Sequence, residues 1–162
     1  MGRETFDAAL APVFEALKGA EPDDRGLAAR LDATLPVTGP VCSAVRAAAL
    51  AGLAEGWLCN REAGGVRFSR PVKPSPATHD YSVDAVVMDR VAGPRHTHTN
   101  GEINLCFTEE GDAKFCGHRQ GWVVFGRKST HVPVVTDGKM VILYFLPGGA
   151  IEFERPAGGG KG

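Results

Sequence analysis

The chain has 162 residues, 43% hydrophobic and 23% charged, which fits a globular domain with a substantial core and excludes a disordered chain. Eighteen Lys and Arg against nineteen Asp and Glu leave a net charge of −1, and the basic residues are scattered, so neither nucleic acid nor an anionic membrane is an expected partner. No apolar run reaches the roughly 18 residues that a membrane span needs.

In chain order, residues 1–56 read as a helical segment. Phe6, Leu10, Val13, Phe14 and Leu17 recur at helical spacing, and Gly19 offers a stop. A second helix is predicted from Asp23 to Leu35, ending before Pro36. A third opens at Gly39-Pro40 and runs through the alanine-rich stretch to Gly56. These helices carry no catalytic pattern and read as packing or dimerisation elements. The start "MGRETFDAALAPVFEALKG" has acids inside its apolar pattern and no signal-peptide h-region. The cysteines Cys42, Cys59, Cys106 and Cys116 lie far apart with no C-x-x-C pair, so reduced thiols in a cytoplasmic protein are expected.

From Trp57 the texture changes. Short apolar runs of period two ("GVRFSR", "YSVDAVVMD", "EINLCFT", "GWVVFG", "HVPVV", "KMVILYFL") are separated by Gly, Pro, Asn and Asp. No long helical pattern interrupts them, which disfavours a parallel sheet. The fold class is therefore α+β, mainly β: about three helices, then an antiparallel β-barrel over residues 57–154. The tail 155–162, "RPAGGGKG", reads as disordered.

The stretch "RHTHTNGEINLCF" carries the chemistry. On a strand His96 and His98 point the same way, and the Asn100-Gly101 bend returns the chain so that Glu102 joins them. Beyond the bend, Glu102, Asn104 and Cys106 take one face and Ile103, Leu105 and Phe107 the other. An Asn-Gly hairpin with a chance His pair would read the same locally, but His131, at the head of the apolar run "HVPVV", supplies a fourth candidate ligand. Three His and one carboxylate suit Zn, Fe(II), Mn or Ni. His79, in "PATHDYS", is a loop residue within reach of substrate or solvent, and His118 reads as a turn residue.

The spacing G-x-x-H-x-H-x-x-x-E from Gly93 to Glu102, followed by G-x-x-x-x-H from Gly126 to His131, resembles the two metal motifs of the cupin superfamily. The second motif lacks the usual Pro-x-Gly, and Gly93 stands closer to His96 than is common. The resemblance implies a small barrel (jelly roll) with the four side chains pointing inward.

Further segments resemble one family, the 4-hydroxylaminobenzoate lyases: Ala54 to Arg70, Lys73 to Asp84, His98 to Leu105, Gly121 to Gly126 and Leu143 to Phe153. The resemblance implies conversion of 4-hydroxylaminobenzoate to 3,4-dihydroxybenzoate (protocatechuate) and ammonia in nitroaromatic degradation, with a divalent metal and without NAD or flavin. It leaves Glu102 as either a ligand or a general acid, with His131 beside it. The small aromatic carboxylate substrate calls for a cation, with Arg61 the first choice because the turn "NREAGG" resembles the family segment, and for aromatic walls, with Trp57, Trp122 and Tyr144 as candidates. A ring-opening Fe(II) dioxygenase and a non-catalytic small-molecule-binding cupin are the alternatives. The apolar stripe Ile103, Leu105 and Phe107 needs cover, from the helices or from a second subunit, and a homodimer is expected.

Overall fold

The computed structural model describes residues 2–153, so the tail read as disordered lies outside the described residues. Three helices lead: α1 (Arg3–Leu17), α2 (Leu27–Thr34) and α3 (Pro40–Glu55). α3 begins with Pro40 at its first turn and stops at Gly56, whose φ of 86° is the left-handed cap that glycine adopts without strain. α2 is shorter than expected because its acids are engaged elsewhere. Asp24 Oδ1 accepts the Gly26 N–H at 2.8 Å, and Asp23 Oδ1 accepts the Arg127 N–H at 2.8 Å, tying the loop to the barrel.

Among the described residues nine strands follow: β1 (Arg61–Ala63), β2 (Val66–Val72), β3 (Tyr81–Asp89), β4 (His96–His98), β5 (Glu102–Phe115), β6 (Gly121–Phe125), β7 (Ser129–His131), β8 (Val135–Pro147) and β9 (Glu152–Phe153). One sheet has the order β1-β2-β3-β8-β5-β6, the other β7-β4-β9, with antiparallel pairing throughout. The two sheets make the expected cupin-like barrel. Its small sheet carries three of the four metal-ligand candidates, and β5 of the large sheet carries the fourth.

Two strand expectations are corrected. The run "HVPVV" is not one strand: β7 ends at His131 and β8 starts at Val135, with Pro133 between them. Proline has no N–H to give a ladder, so the chain leaves the small sheet there and enters the large one. The run "EINLCFT" does not stop at Thr108. β5 continues through Gly111 to Phe115 beside β8, with register shifts that absorb the polar residues. Gly138 is required opposite, since a Cβ there would stand 2.0 Å from the Glu110 carbonyl oxygen.

Alternation along β5 gives it two different buried faces. Ile103, Leu105 and Phe107 join the core formed with the helices, where Phe6, Leu10, Val13, Phe14 and Leu17 bury the stripe of α1. Phe14 meets Phe145 edge-on at 5.9 Å between centroids, and the Trp122 indole N–H donates to the Leu35 carbonyl at 2.8 Å. The chain's own helices thus supply the cover this stripe needs, and the stripe gives no call for a second subunit. The other face of β5, with Glu102, Asn104 and Cys106, looks into the barrel. No described helix is long and apolar enough to cross a membrane.

Gly101 is where the two layers meet. Its φ is 90°, and a Cβ there would lie 2.4 Å from Pro22 Cβ in the helical segment. Gly101→Ala should therefore lower stability by about 1–3 kcal/mol from the strained backbone, before any clash is counted. Urea unfolding reads this directly, and an unchanged midpoint would contradict the close approach.

Candidate metal centre and adjoining cavity

Strands β4 and β7 pair so that His96 stands opposite His131, and His98 opposite Ser129. The bend at Asn100-Gly101 then delivers Glu102 at the first position of β5. The potential ligand atoms of His96, His98, Glu102 and His131 all lie within 4.8 Å of one another. Two ligands bonded to one ion at about 2.0–2.2 Å stand no more than ~4.4 Å apart, so closure takes a few tenths of an ångström. His96, His98 and Glu102 are fully buried, and His131 is mostly so.

The hydrogen bonds decide which ring nitrogens are bare. Ser129 uses its hydroxyl proton on the Gly126 carbonyl at 2.6 Å, so its oxygen accepts from His98 Nδ1–H at 2.8 Å. The Pro94 carbonyl likewise accepts from His96 Nδ1–H at 3.3 Å. In each neutral imidazole Nε2 is then left with a lone pair, the tautomer a metal ligand needs. His96 and His98 Nε2 point at Glu102 Oε1, 3.1 and 2.8 Å away, and His131 Nε2 lies 3.1 Å from His96 Nε2. His98 Nε2 makes no hydrogen bond despite its burial. Lone pairs facing a carboxylate in a dry site repel unless positive charge lies between them. That charge is either protons on the imidazoles or a metal ion in their place, and the donor set fits a divalent ion.

The electrostatics favour the metal-ready state. Burial alone would raise the Glu102 carboxyl, but hydrogen bonds from the facing His96 and His98 imidazoles, when protons rather than a metal fill the gap at Nε2, outweigh it and bring it down to about 2. Burial lowers His131 to about 4, with His96 and His98 adding to the shift and Glu102 opposing it. Near neutral pH Glu102 is thus ionised and His131 neutral, as ligands must be. Cys106 shares the inner face as expected, and burial pushes its thiol well up, so it packs as a thiol rather than acting as a nucleophile.

Beside the cluster opens a cavity of about 390 Å³, in the range of small-molecule sites. His96 and Tyr144 line it next to the cluster, their rings 6.3 Å apart. Val66, Phe68, Val86 and Met88 give it apolar walls, and Arg61 and Arg70 are the basic groups in its lining. Arg70 is spoken for: its Nε donates to Asp84 Oδ1 at 2.6 Å and its Nη2 to Asp84 Oδ2 at 3.1 Å. Arg61 lies over the Phe68 ring at 5.9 Å and forms no ion pair among the described residues.

Three sequence candidates for substrate contact lie elsewhere. Trp122 packs in the core between sheet and helices. Trp57 sits against Phe6 on the helical side, 5.6 Å between centroids, with its N–H given to Glu55. His79 Nε2 meets Glu15 of α1 at 2.8 Å. Both tryptophans therefore pack the helical layer, and His79 joins that layer to the loop before β3. His118 sits in the turn expected of it, with paired backbone bonds to Phe115. Residues that the sequence reading missed include Ser129, Cys116 (Sγ 3.8 Å from His131 Nδ1) and Phe125 (4.1 Å between ring centroids from His131). Ser129 had a signal, since it stands two residues before His131 and shares its face.

Residues 8–153 match a family model described as "PnbB: 4-hydroxylaminobenzoate lyase". A 4-hydroxylaminobenzoate lyase of Nocardioides sp. (strain LMS-CY) is 33% identical over 112 residues, which are 64% of this chain and 66% of that protein. One from Pseudomonas putida is 31% identical over 125 residues, 67% of this chain and 71% of that protein. Among solved structures, DMSP lyase DddQ from Ruegeria pomeroyi DSS-3 matches with a TM-score of 0.53 at 18% identity, covering 96% of this chain and 98% of that one. At that identity the likeness speaks to the fold alone.

The cluster makes stability depend on pH in a defined direction. His131 falls from 6.5 to about 4 on folding, so in metal-free protein its contribution is full above pH 6.5 and is lost as the pH drops toward 4. Glu102, lowered from 4.5 to about 2, adds a loss of the same sign below pH 4.5. Urea midpoints measured across this range should decline in the metal-free parent, and less between pH 6.5 and 4 in His131→Gln. Equal slopes for the two proteins would contradict the assignment.

Proposed function

The chain belongs to the 4-hydroxylaminobenzoate lyase family, and on that premise we propose that it converts 4-hydroxylaminobenzoate and water into 3,4-dihydroxybenzoate and ammonia. The observation that carries this reading is one cavity whose lining holds both His96 of the metal-type cluster and Arg61, a cation with no ion pair among the described residues. The net reaction adds one water and needs no electron acceptor. Its hard steps are the loss of hydroxide from nitrogen and the delivery of oxygen to an electron-poor ring.

The residues divide the work. Arg61 meets the substrate carboxylate with its planar fork, while Arg70, already held in two bonds by Asp84, does not compete. Phe68, Val66, Val86 and Met88 hold the ring and keep bulk water from it. Tyr144 closes the wall near His96. Burial keeps its phenol protonated, with the nearby Glu102 charge pushing the same way, so the hydroxyl stays a donor. A divalent ion held by His96, His98, Glu102 and His131 would supply Lewis acidity toward the departing hydroxyl oxygen. Glu102 serves as a ligand in this reading rather than as the general acid, because a carboxyl held near 2 has no proton to give near neutral pH.

Purified protein given 4-hydroxylaminobenzoate should release ammonia and 3,4-dihydroxybenzoate with no NAD, no flavin and no oxygen uptake. Arg61→Ala should raise KM about 10–100-fold with a smaller change in kcat, as a charged hydrogen bond of about 1.5–3 kcal/mol is lost. His96→Ala should remove bound metal and turnover together. Oxygen consumed in proportion to a ring-opened product would hand the case to a dioxygenase, and binding without turnover to a non-catalytic receptacle. Full activity in metal-stripped protein would sink the Lewis-acid role.

A further inference from the structure

One buried amide in the centre has a job that packing does not explain. Asn104 follows Glu102 by two residues on the inner face of β5, is fully buried, and donates from Nδ2 to Glu102 Oε2 at 2.8 Å. A carboxylate only accepts, so the amide's orientation is fixed by chemistry: Nδ2 faces Glu102 and Oδ1 does not. Asn104 Oδ1 is left with no donor. An orphaned buried acceptor costs stability, and a leucine would fill the same space between Val123 and Tyr144, its partners on the flanking strands, without that cost.

The two Glu102 oxygens are not equivalent. His96 and His98 Nε2 face Oε1 at 3.1 and 2.8 Å, whereas Oε2 is taken by Asn104 and lies 3.9 Å from His131 Nε2. The geometry points to Asn104 as a positioning residue: by holding Oε2 it leaves Oε1 as the single oxygen that Glu102 presents to a divalent ion. A carboxylate free to turn would offer both oxygens and crowd a position that water or substrate needs. The inference rests on the reading that the four-residue cluster takes up a metal, and it extends that reading to a residue outside the ligand set.

Zinc and cobalt(II) binding to the full chain, measured by chelator competition, tests it without substrate. Asn104→Leu, close in volume but unable to donate, should weaken binding about 10–100-fold and alter the visible absorption of the cobalt(II) protein. Asn104→Ala should do the same and carries the test if the leucine variant does not fold. A purely structural amide would lower the melting temperature of the metal-free protein but leave the cobalt(II) spectrum unmoved, and that result overturns the inference. Unchanged affinity in both variants overturns it as well. A parent chain that takes up neither ion would overturn the metal reading together with this one, so the two failures are told apart.

Discussion

The rest of the structure is arranged around a carboxylate wholly buried from the surface. Glu102 is fully buried with three imidazole nitrogens within 3.9 Å, and it is held near 2 against a burial effect that alone would push it up. Such a charge is tolerable in a barrel only if each neighbour is fixed in position and protonation. Ser129 and the Pro94 carbonyl fix the tautomers of His98 and His96, and Asn104 occupies the oxygen they leave. None of these bonds is strong alone. Together they leave the site short of positive charge, which a divalent ion would supply.

That demand reaches the helices. A strand that presents Glu102, Asn104 and Cys106 inward necessarily presents Ile103, Leu105 and Phe107 outward, because the side-chain period is two. An outward stripe of that kind has to be covered, and α1 covers it with Phe14 and its apolar neighbours. The ties from the helical segment land close to the site on both sides: Asp32 Oδ1 accepts the Trp122 N–H at 3.0 Å, and Asp23 holds the Arg127 N–H just before β7. The helical layer contributes no ligand, yet it fixes the strands that do.

How much of this was legible depends on the range of the interaction. The parity of His96 and His98, the glycine at the bend and the two faces of β5 follow from local backbone rules, and all three hold. The break at Pro133 was also written in the sequence, as a residue with no N–H in the middle of an apolar run. What was not legible needs register. The facing of His98 by Ser129, of His131 by Cys116, and of Glu102 by nothing but side chains exists only once β4 lies beside β7 and both lie over β5. The tryptophans show the same limit: an aromatic in a doubly buried sheet gives no local sign of whether it faces the cavity or the helices, and Trp122 faces the helices.

The two arginines of the cavity show how neutralisation decides a role. Arg70 looks the better anion site by position, since it lies on a longer strand and is held in place, but both of its bonding edges are committed. Nε and Nη2 meet Asp84, Nη2 also meets the Gly149 carbonyl at 3.2 Å, and Asp84 cancels its charge. A substrate carboxylate arriving there would meet a pair of no net charge and would have to displace Asp84, which is itself partly buried. Arg61 sits on the short edge strand β1 with its guanidinium over the Phe68 ring, and its charge is uncompensated among the described residues. Of the two, Arg61 is therefore the lining cation whose charge is uncompensated among the described residues, and Arg70 with Asp84 serves as a cross-strand clasp that holds β2 to β3 and shapes the wall beside it.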